Sequence, residues 1–228
     1  MQQLKKISYD LIDSAKDDEK IAKEIFEKIK QNAIDMNGQD RYFVCAELAA
    51  WHLSIADDLF TDEEFLKEFN GECLSYIAAR HPSILQKIII CPLLLERCDG
   101  RDLALMGCAD LNFGNQIFGD PALMERCSKN DLVRMACRHL EIAKRLFKNV
   151  SLLEQCTSSD LALMACRHVK IARKILNDSH LLQRLTAKDK FLIMTNQPSL
   201  ANEEHRFFQP TPPPAPTQTK SLIVCKLF

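Results

Sequence analysis

Asp131-Leu132-Val133-Arg134-Met135-Ala136-Cys137-Arg138-His139 is followed, 29 residues on, by Asp160-Leu161-Ala162-Leu163-Met164-Ala165-Cys166-Arg167-His168. One step back lands on Asp102-Leu103-Ala104-Leu105-Met106-Gly107-Cys108. Two more land on segments ending Ala78-Ala79-Arg80-His81 and Ala49-Ala50-Trp51-His52, and a step forward gives a half unit from Asp189 to Gln197. The phase holds from about residue 44 to 200 without an insertion, with units starting near 44, 73, 102, 131, 160 and 189. Self-similarity at a fixed period marks a chain built of stacked copies of one unit.

Each unit reads as three short helical pieces. The first starts at the Asp and carries apolar residues such as Leu132, Met135 and Cys137. The second follows the Arg-His pair, with Ile142, Ala143, Leu146 and Phe147, an i, i+1, i+4, i+5 stripe that makes one helix face. The third carries Leu152, Leu153 and Cys156. Punctuation agrees. Asp99, Ser128, Thr157 and Thr186 each stand three residues before an Asp, an arrangement in which a side-chain oxygen serves free helical N–H groups. Pro92 and Pro121 fall where the third piece begins, a permitted first-turn position. One unit cannot bury these stripes alone, but five or six stacked units bury them against their neighbours.

The composition fits. Glycine is scarce, at 6 residues, and hydrophobic residues make up 46% against 27% charged, the balance of a helical globular chain. The formal net charge is -1, which counts against a nucleic-acid binder. The opening MQQLKKISYD has no apolar run of the leader type, and no apolar stretch approaches the roughly 20 residues of a membrane span. The ten cysteines form no CxxC pair, and those before the Pro-rich stretch sit where helical core residues should sit, so they read as reduced thiols in a cytosolic setting, not as a zinc site.

Three regions result. Residues 1–43 form a helical cap or degenerate unit, in which Ile21-Ala22-Lys23-Glu24-Ile25-Phe26 matches a second helix. That stretch lies 34 residues before Ile55, so a longer loop is expected around Asn37-Gly38-Gln39-Asp40. Residues 44–207 form the array. Residues 208–228 hold a Pro-rich stretch, Gln209 to Thr217, read as an extended spacer rather than an SH3-type ligand.

The pattern resembles the HEAT/armadillo class of α-solenoids, over about 44–205. That resemblance implies an all-α, right-handed solenoid with a surface for a protein partner. Cys225-Lys226-Leu227-Phe228 resembles a C-a-a-X box, with Phe in the last place favouring geranylgeranyl; Lys226 departs from the pattern. Helical repeats with such a box resemble host-directed effectors of intracellular bacteria. This implies a membrane contact through geranylgeranyl on Cys225, hence a protein secreted into a host cell and held at its membranes. One lipid chain anchors weakly, so residence there is expected to be reversible.

Among residues able to carry chemistry, His52, His81, His139 and His168 recur in phase, preceded by Trp51, Arg80, Arg138 and Arg167. Lined up along one edge they would form a basic ridge for an acidic partner or phosphate. Alternatively each Arg-His closes the first helix and satisfies its free carbonyls, which recurrence in every unit fits better. Trp51 is either a partner anchor or a cap on the stack. Cys108, Cys137 and Cys166, with Cys98, Cys127 and Cys156, read as core. No phosphate loop, HExxH or Gly-x-Ser-x-Gly occurs, so no enzyme, cofactor or metal is expected. The alternatives are a nucleic-acid-binding repeat, which needs a basic face, and a glycosylase-like enzyme, which needs a buried acid beside aromatic residues in a cleft.

Overall fold

The computed structural model describes residues 9–203 apart from 33–35 and 37. Among them are eighteen α-helices, a closing 3-10 helix and no strand: the protein is all-α. The chain enters through α1 (Tyr9–Ser14) and α2 (Glu19–Lys30).

From there, numbered in chain order, the helices fall into three interleaved series. The first helices are α3 (Gly38–Trp51), α6 (Gly71–Ala78), α9 (Gly100–Ala109), α12 (Lys129–Arg138), α15 (Ser158–Arg167) and α18 (Ala187–Asn196). The second are α4 (Leu53–Thr61), α7 (Pro82–Ile90), α10 (Leu111–Ile117), α13 (Leu140–Leu146) and α16 (Val169–Asn177). The third are α5 (Glu63–Leu66), α8 (Pro92–Arg97), α11 (Pro121–Arg126), α14 (Val150–Gln155) and α17 (Ser179–Arg184). From α4 onward, successive starts within every series differ by 29 residues. The exception is α3, which begins four residues early, at 38 rather than 42. Gly38 to Asp40 are therefore the first turn of a lengthened helix, not part of the loop expected there. The additional residues of the N-terminal region extend a helix because α3 can propagate at one hydrogen bond per residue, whereas a loop pays entropy without that return.

Packing follows the same order. Each first helix lies against the next in its series, from α3 through α6, α9, α12 and α15 to α18; the first five also pack on the second helix that follows them, and α18 on the closing 3-10 helix. Helices of six to ten residues are too short to hold themselves in water, so contacts with neighbours must supply their stability. The buried rows show how. Leu48, Ile77, Met106, Met135, Met164 and Ile193 occupy one register position and are all fully buried. Each such side chain contributes about 1.5–3 kcal/mol on leaving water. Ala49, Ala78, Ala136 and Ala165 are small and buried, and Gly107 stands in their place. A Cβ on Gly107 would lie 2.4 Å from Met135 Sδ, which explains the glycine by close approach alone.

Four capping boxes close the N-termini of α9, α12, α15 and α18, pairing Asp99 with Asp102, Ser128 with Asp131, Thr157 with Asp160 and Thr186 with Asp189. Pro92 and Pro121 open α8 and α11. One cap also ties two units together: Lys129 Nζ donates to Asp160 Oδ2 at 2.6 Å. Burial pushes the Asp160 carboxyl up, but hydrogen bonds from Lys129 and from the Thr157 amide and hydroxyl outweigh it and hold the pKa below its ordinary value. A carboxylate lowered on folding adds stability above its unfolded pKa and loses it as pH falls through the folded value. Lys129→Met should thus cost about 1 kcal/mol at neutral pH. The difference from wild type should vanish below the aspartate range. Denaturant titrations at the two pH values check it, and a pH-independent difference would assign the effect to packing of the lysine stem.

Candidate functional site

The four in-phase histidines and the residues before them part company in the structure. Each imidazole turns back to the preceding unit. Nε2 of His81 lies 2.8 Å from Ala49 O, that of His139 3.0 Å from Cys108 O, and that of His168 2.8 Å from Ala136 O. A carbonyl only accepts, so Nε2 carries the proton and donates. The acceptors are last-turn carbonyls of a first helix, which have no partner within that helix. His52 makes the same bond to Ala15 O at 2.6 Å, 37 residues back instead of 32. The surplus of five equals the excess of the 34 residues between Ile21 and Ile55 over the usual 29. In the last unit Gln197 replaces the histidine, its Nε2 donating to Ala165 O at 3.2 Å and Cys166 O at 2.6 Å. The natural glutamine predicts the outcome of substitution. His139→Ala should lose about 1 kcal/mol, the net worth of a neutral hydrogen bond, while His139→Gln should keep most of it. If denaturation midpoints place Gln with Ala, the bond to Cys108 contributes nothing.

A second ladder, formed by Arg97, Arg126 and Arg184, was overlooked in the sequence. Arg97 Nη1 donates to Leu66 O at 3.0 Å and Phe69 O at 3.3 Å. Arg126 Nη2 donates to Leu95 O at 2.9 Å and to Cys98 O, and Arg184 to Leu153 O at 3.2 Å and to Cys156 O. The offsets are 31 and 28 residues in all three cases. Glu96-Arg97-Cys98 and Glu125-Arg126-Cys127, one period apart, were the available signal.

Arg80, Arg138 and Arg167 do face solvent. Arg80 lies against Tyr76, its guanidinium 5.3 Å from the ring centroid, and half-buried Trp51 has Lys16 Nζ 4.8 Å over its ring. These positions belong to the outer face of the first helices, where residues four apart stack on one side. Its three rows change from unit to unit. One runs Phe43, Glu72, Arg101, Asn130, Ser159, Lys188. The next runs Glu47, Tyr76, Leu105, Arg134, Leu163, Leu192. The third runs Trp51, Arg80, Ala109, Arg138, Arg167, Asn196. From α9 to α18 the face carries five cations and no acid, and of its twelve residues all but the half-buried Leu105 are exposed. The acids of those helices are spent as caps: Asp102, Asp131, Asp160 and Asp189 bend back to their own N-termini. A chain of net charge -1 thereby presents a basic surface.

No family model, no curated protein and no solved structure matches the chain.

At the start of the basic run lies a cleft of about 480 Å³ lined by residues that include Phe43, Tyr76, Arg101, Leu105 and Arg134, with Asp102 in its wall. A buried acid beside aromatic rings is what a glycosylase-like site needs. Here, however, both carboxylate oxygens are engaged: Ser75 Oγ donates to Oδ1 at 3.0 Å, and the Asp99 amide donates to Oδ2 at 3.0 Å. Burial pushes the Asp102 pKa up, as it would for a proton donor, but the same acid caps three further units. Its position is a helix-start requirement.

The nine described cysteines are free. Burial pushes the Cys45 and Cys98 thiols up to about 12 and those of Cys73, Cys127 and Cys137 to about 11, so these five are protonated and poor nucleophiles at neutral pH. Among the described residues no three His, Cys, Asp or Glu side chains converge as metal ligands, and no helix is long and apolar enough to cross a membrane. Cys225, the Gln209–Thr217 stretch and the rest of 204–228 lie outside the described residues.

Proposed function

We propose that this chain is a protein-binding scaffold: 29-residue units of three helices stacked into a right-handed, HEAT/armadillo-like solenoid whose first-helix face receives the partner. The common step of all three helix series supports the stacking. One observation carries the binding role. Buried positions such as Leu48, Ile77, Met106, Met135 and Met164 keep one chemistry throughout, whereas the largely exposed rows beside them change at every step but two, Leu163 to Leu192 and Arg138 to Arg167. Stability needs the first pattern and makes no demand that produces the second. A surface that reads a different residue of a ligand at each unit does produce it.

Cys225 adds a tether on this reading, as a geranylgeranyl acceptor of a secreted effector held at host membranes; its support is the Cys225-Lys226-Leu227-Phe228 pattern alone. The two parts are tested together in mammalian cells by proximity labelling and membrane partitioning. A Tyr76→Ala, Leu163→Ser, Leu192→Ser variant should lose the partners labelled by wild type yet partition with membranes as before. Cys225→Ser and a geranylgeranyltransferase inhibitor should each release the protein from membranes. The same partners recovered with the face variant would sink the scaffold reading, and a wild type that stays soluble would sink the tether.

A further inference from the structure

We propose that the partner segment received by the face from α9 to α18 is an acidic peptide bearing apolar side chains, an inference that rests on the scaffold reading above. Charge complementarity chooses the occupant. Arg101, Arg134, Arg138 and Arg167 are exposed with no acid in the α9-to-α18 part of the rows they share, and Leu105 and Leu163 sit between them. Leu163 is 50% exposed and Leu192 beside it in the row 41%, with Arg134 on the other side of Leu163 and Arg167 one turn along α15. Arginine guanidinium groups offer forked donors that match carboxylates, and the leucines give a peptide side chain somewhere to leave water. Arg101, Leu105 and Arg134 also line the cleft beside Tyr76, whose wall carries Glu72, Asp99 and Asp102 as well, so it encloses an apolar side chain of the peptide and not one of its carboxylates. That cleft is the anchor and the exposed arginines downstream of it set charge and register.

The same observations disfavour a nucleic acid. A polyanion has no use for leucines at the centre of its track, and its extension along the rows meets Glu47 and Glu72 on α3 and α6. The basic run is therefore short. Neighbouring helices pack about 9 Å apart, so α9 to α18 spans about 27 Å. An extended peptide covers that with about eight residues.

The test uses the full chain and a fluorescent peptide of repeated Leu-Glu-Asp-Glu, read by anisotropy. Two control peptides carry Lys for the acids or Ser for Leu. Binding should be confined to the first peptide, weaken as salt rises, and fall about tenfold or more in Arg134→Glu, Arg138→Glu. It should also fall about threefold in Leu163→Ser and stay unchanged in Lys148→Glu, an exposed lysine beyond the end of α13. Thermal melts of each variant separate lost binding from lost folding. Unchanged affinity in the folded double-arginine variant overturns the proposal, as does equal binding of the serine peptide. A single-stranded oligonucleotide that binds through the same arginines more tightly than the acidic peptide overturns it in favour of nucleic acid. A random peptide display library keeps the two readings apart. Binders that are not acidic and ignore the arginine variants refute this inference and leave the scaffold standing, whereas a library that yields no binder removes both.

Discussion

Phe113→Ala should lower stability by about 3–5 kcal/mol and split one unfolding transition into two. The first part follows from burial. Phe113 is 1% exposed in α10, and removing a buried aromatic ring costs its transfer free energy and leaves a cavity the surroundings only partly fill. Little can fill it here. Gly114 follows, and the close approach of α9 and α10 is already fixed by Gly107 against Gly114, where an added Cβ would meet Gly107 O at 2.9 Å. The second part follows from the order of contacts. α10 joins α9, α11 and α13, midway along the array. In a chain whose units touch only their neighbours, a central defect weakens the coupling between the two halves, and each then melts on its own. Phe191→Ala is the control. Its position in earlier units is held by small buried residues, Ala162, Val133, Ala104 and Ser75, yet Phe191 itself is 67% exposed in the last first helix. It should change stability little. Calorimetry of the three proteins decides: a single transition in Phe113→Ala, shifted by under about 1 kcal/mol, would show that the ring is not a central support.

The helices, the capping boxes and the proline starts were legible because each rests on local chemistry. Ser128 and Asp131 carry their meaning within four residues, and Pro121 can open a helix wherever it stands. The place of the five additional residues was less legible. The Gly38-Gln39-Asp40 stretch looks like a turn by composition, but these residues begin α3, where each added residue gains a backbone hydrogen bond. The polar residues were hardest. Arg138 and His139 are adjacent and recur with the same period, so sequence makes them one motif. In the structure His139 turns to the preceding unit and Arg138 to water. A period tells which positions are equivalent but not which direction each faces once a helix has ended, and the helix ends between these two. The basic face was invisible for a related reason. Net charge counts every acid alike, whereas four of the acids near this face are turned inward as caps.

Arg126→Ala should cost about 2 kcal/mol, well beyond the usual effect of an exposed arginine. The carbonyls of Leu95 and Cys98 end α8, a helix of six residues with only two turns to its name. Nucleation is unfavourable at that length, so α8 persists only because something outside it accepts its geometry. Arg126 supplies two charge-assisted bonds at the place where intrahelical partners run out. Exposure of the guanidinium reduces their worth, which is why the expected loss lies below the roughly 3–6 kcal/mol that two buried bonds to a charged group would give. The distinguishing readout is local. Hydrogen exchange should quicken in α8, one unit before the substituted residue, more than in α11, where the residue stands. Lys in place of Arg should recover only part of the loss, since a single ammonium cannot reach two carbonyls in a fixed fork. The natural exception argues the same way: Gln155 holds this register position in the next unit, and there Lys129 to Asp160 supplies a different tie between neighbours. If exchange in α8 is unchanged in Arg126→Ala, the guanidinium bonds are surface decoration and the third helices are held by Leu94 and Leu123 burial alone.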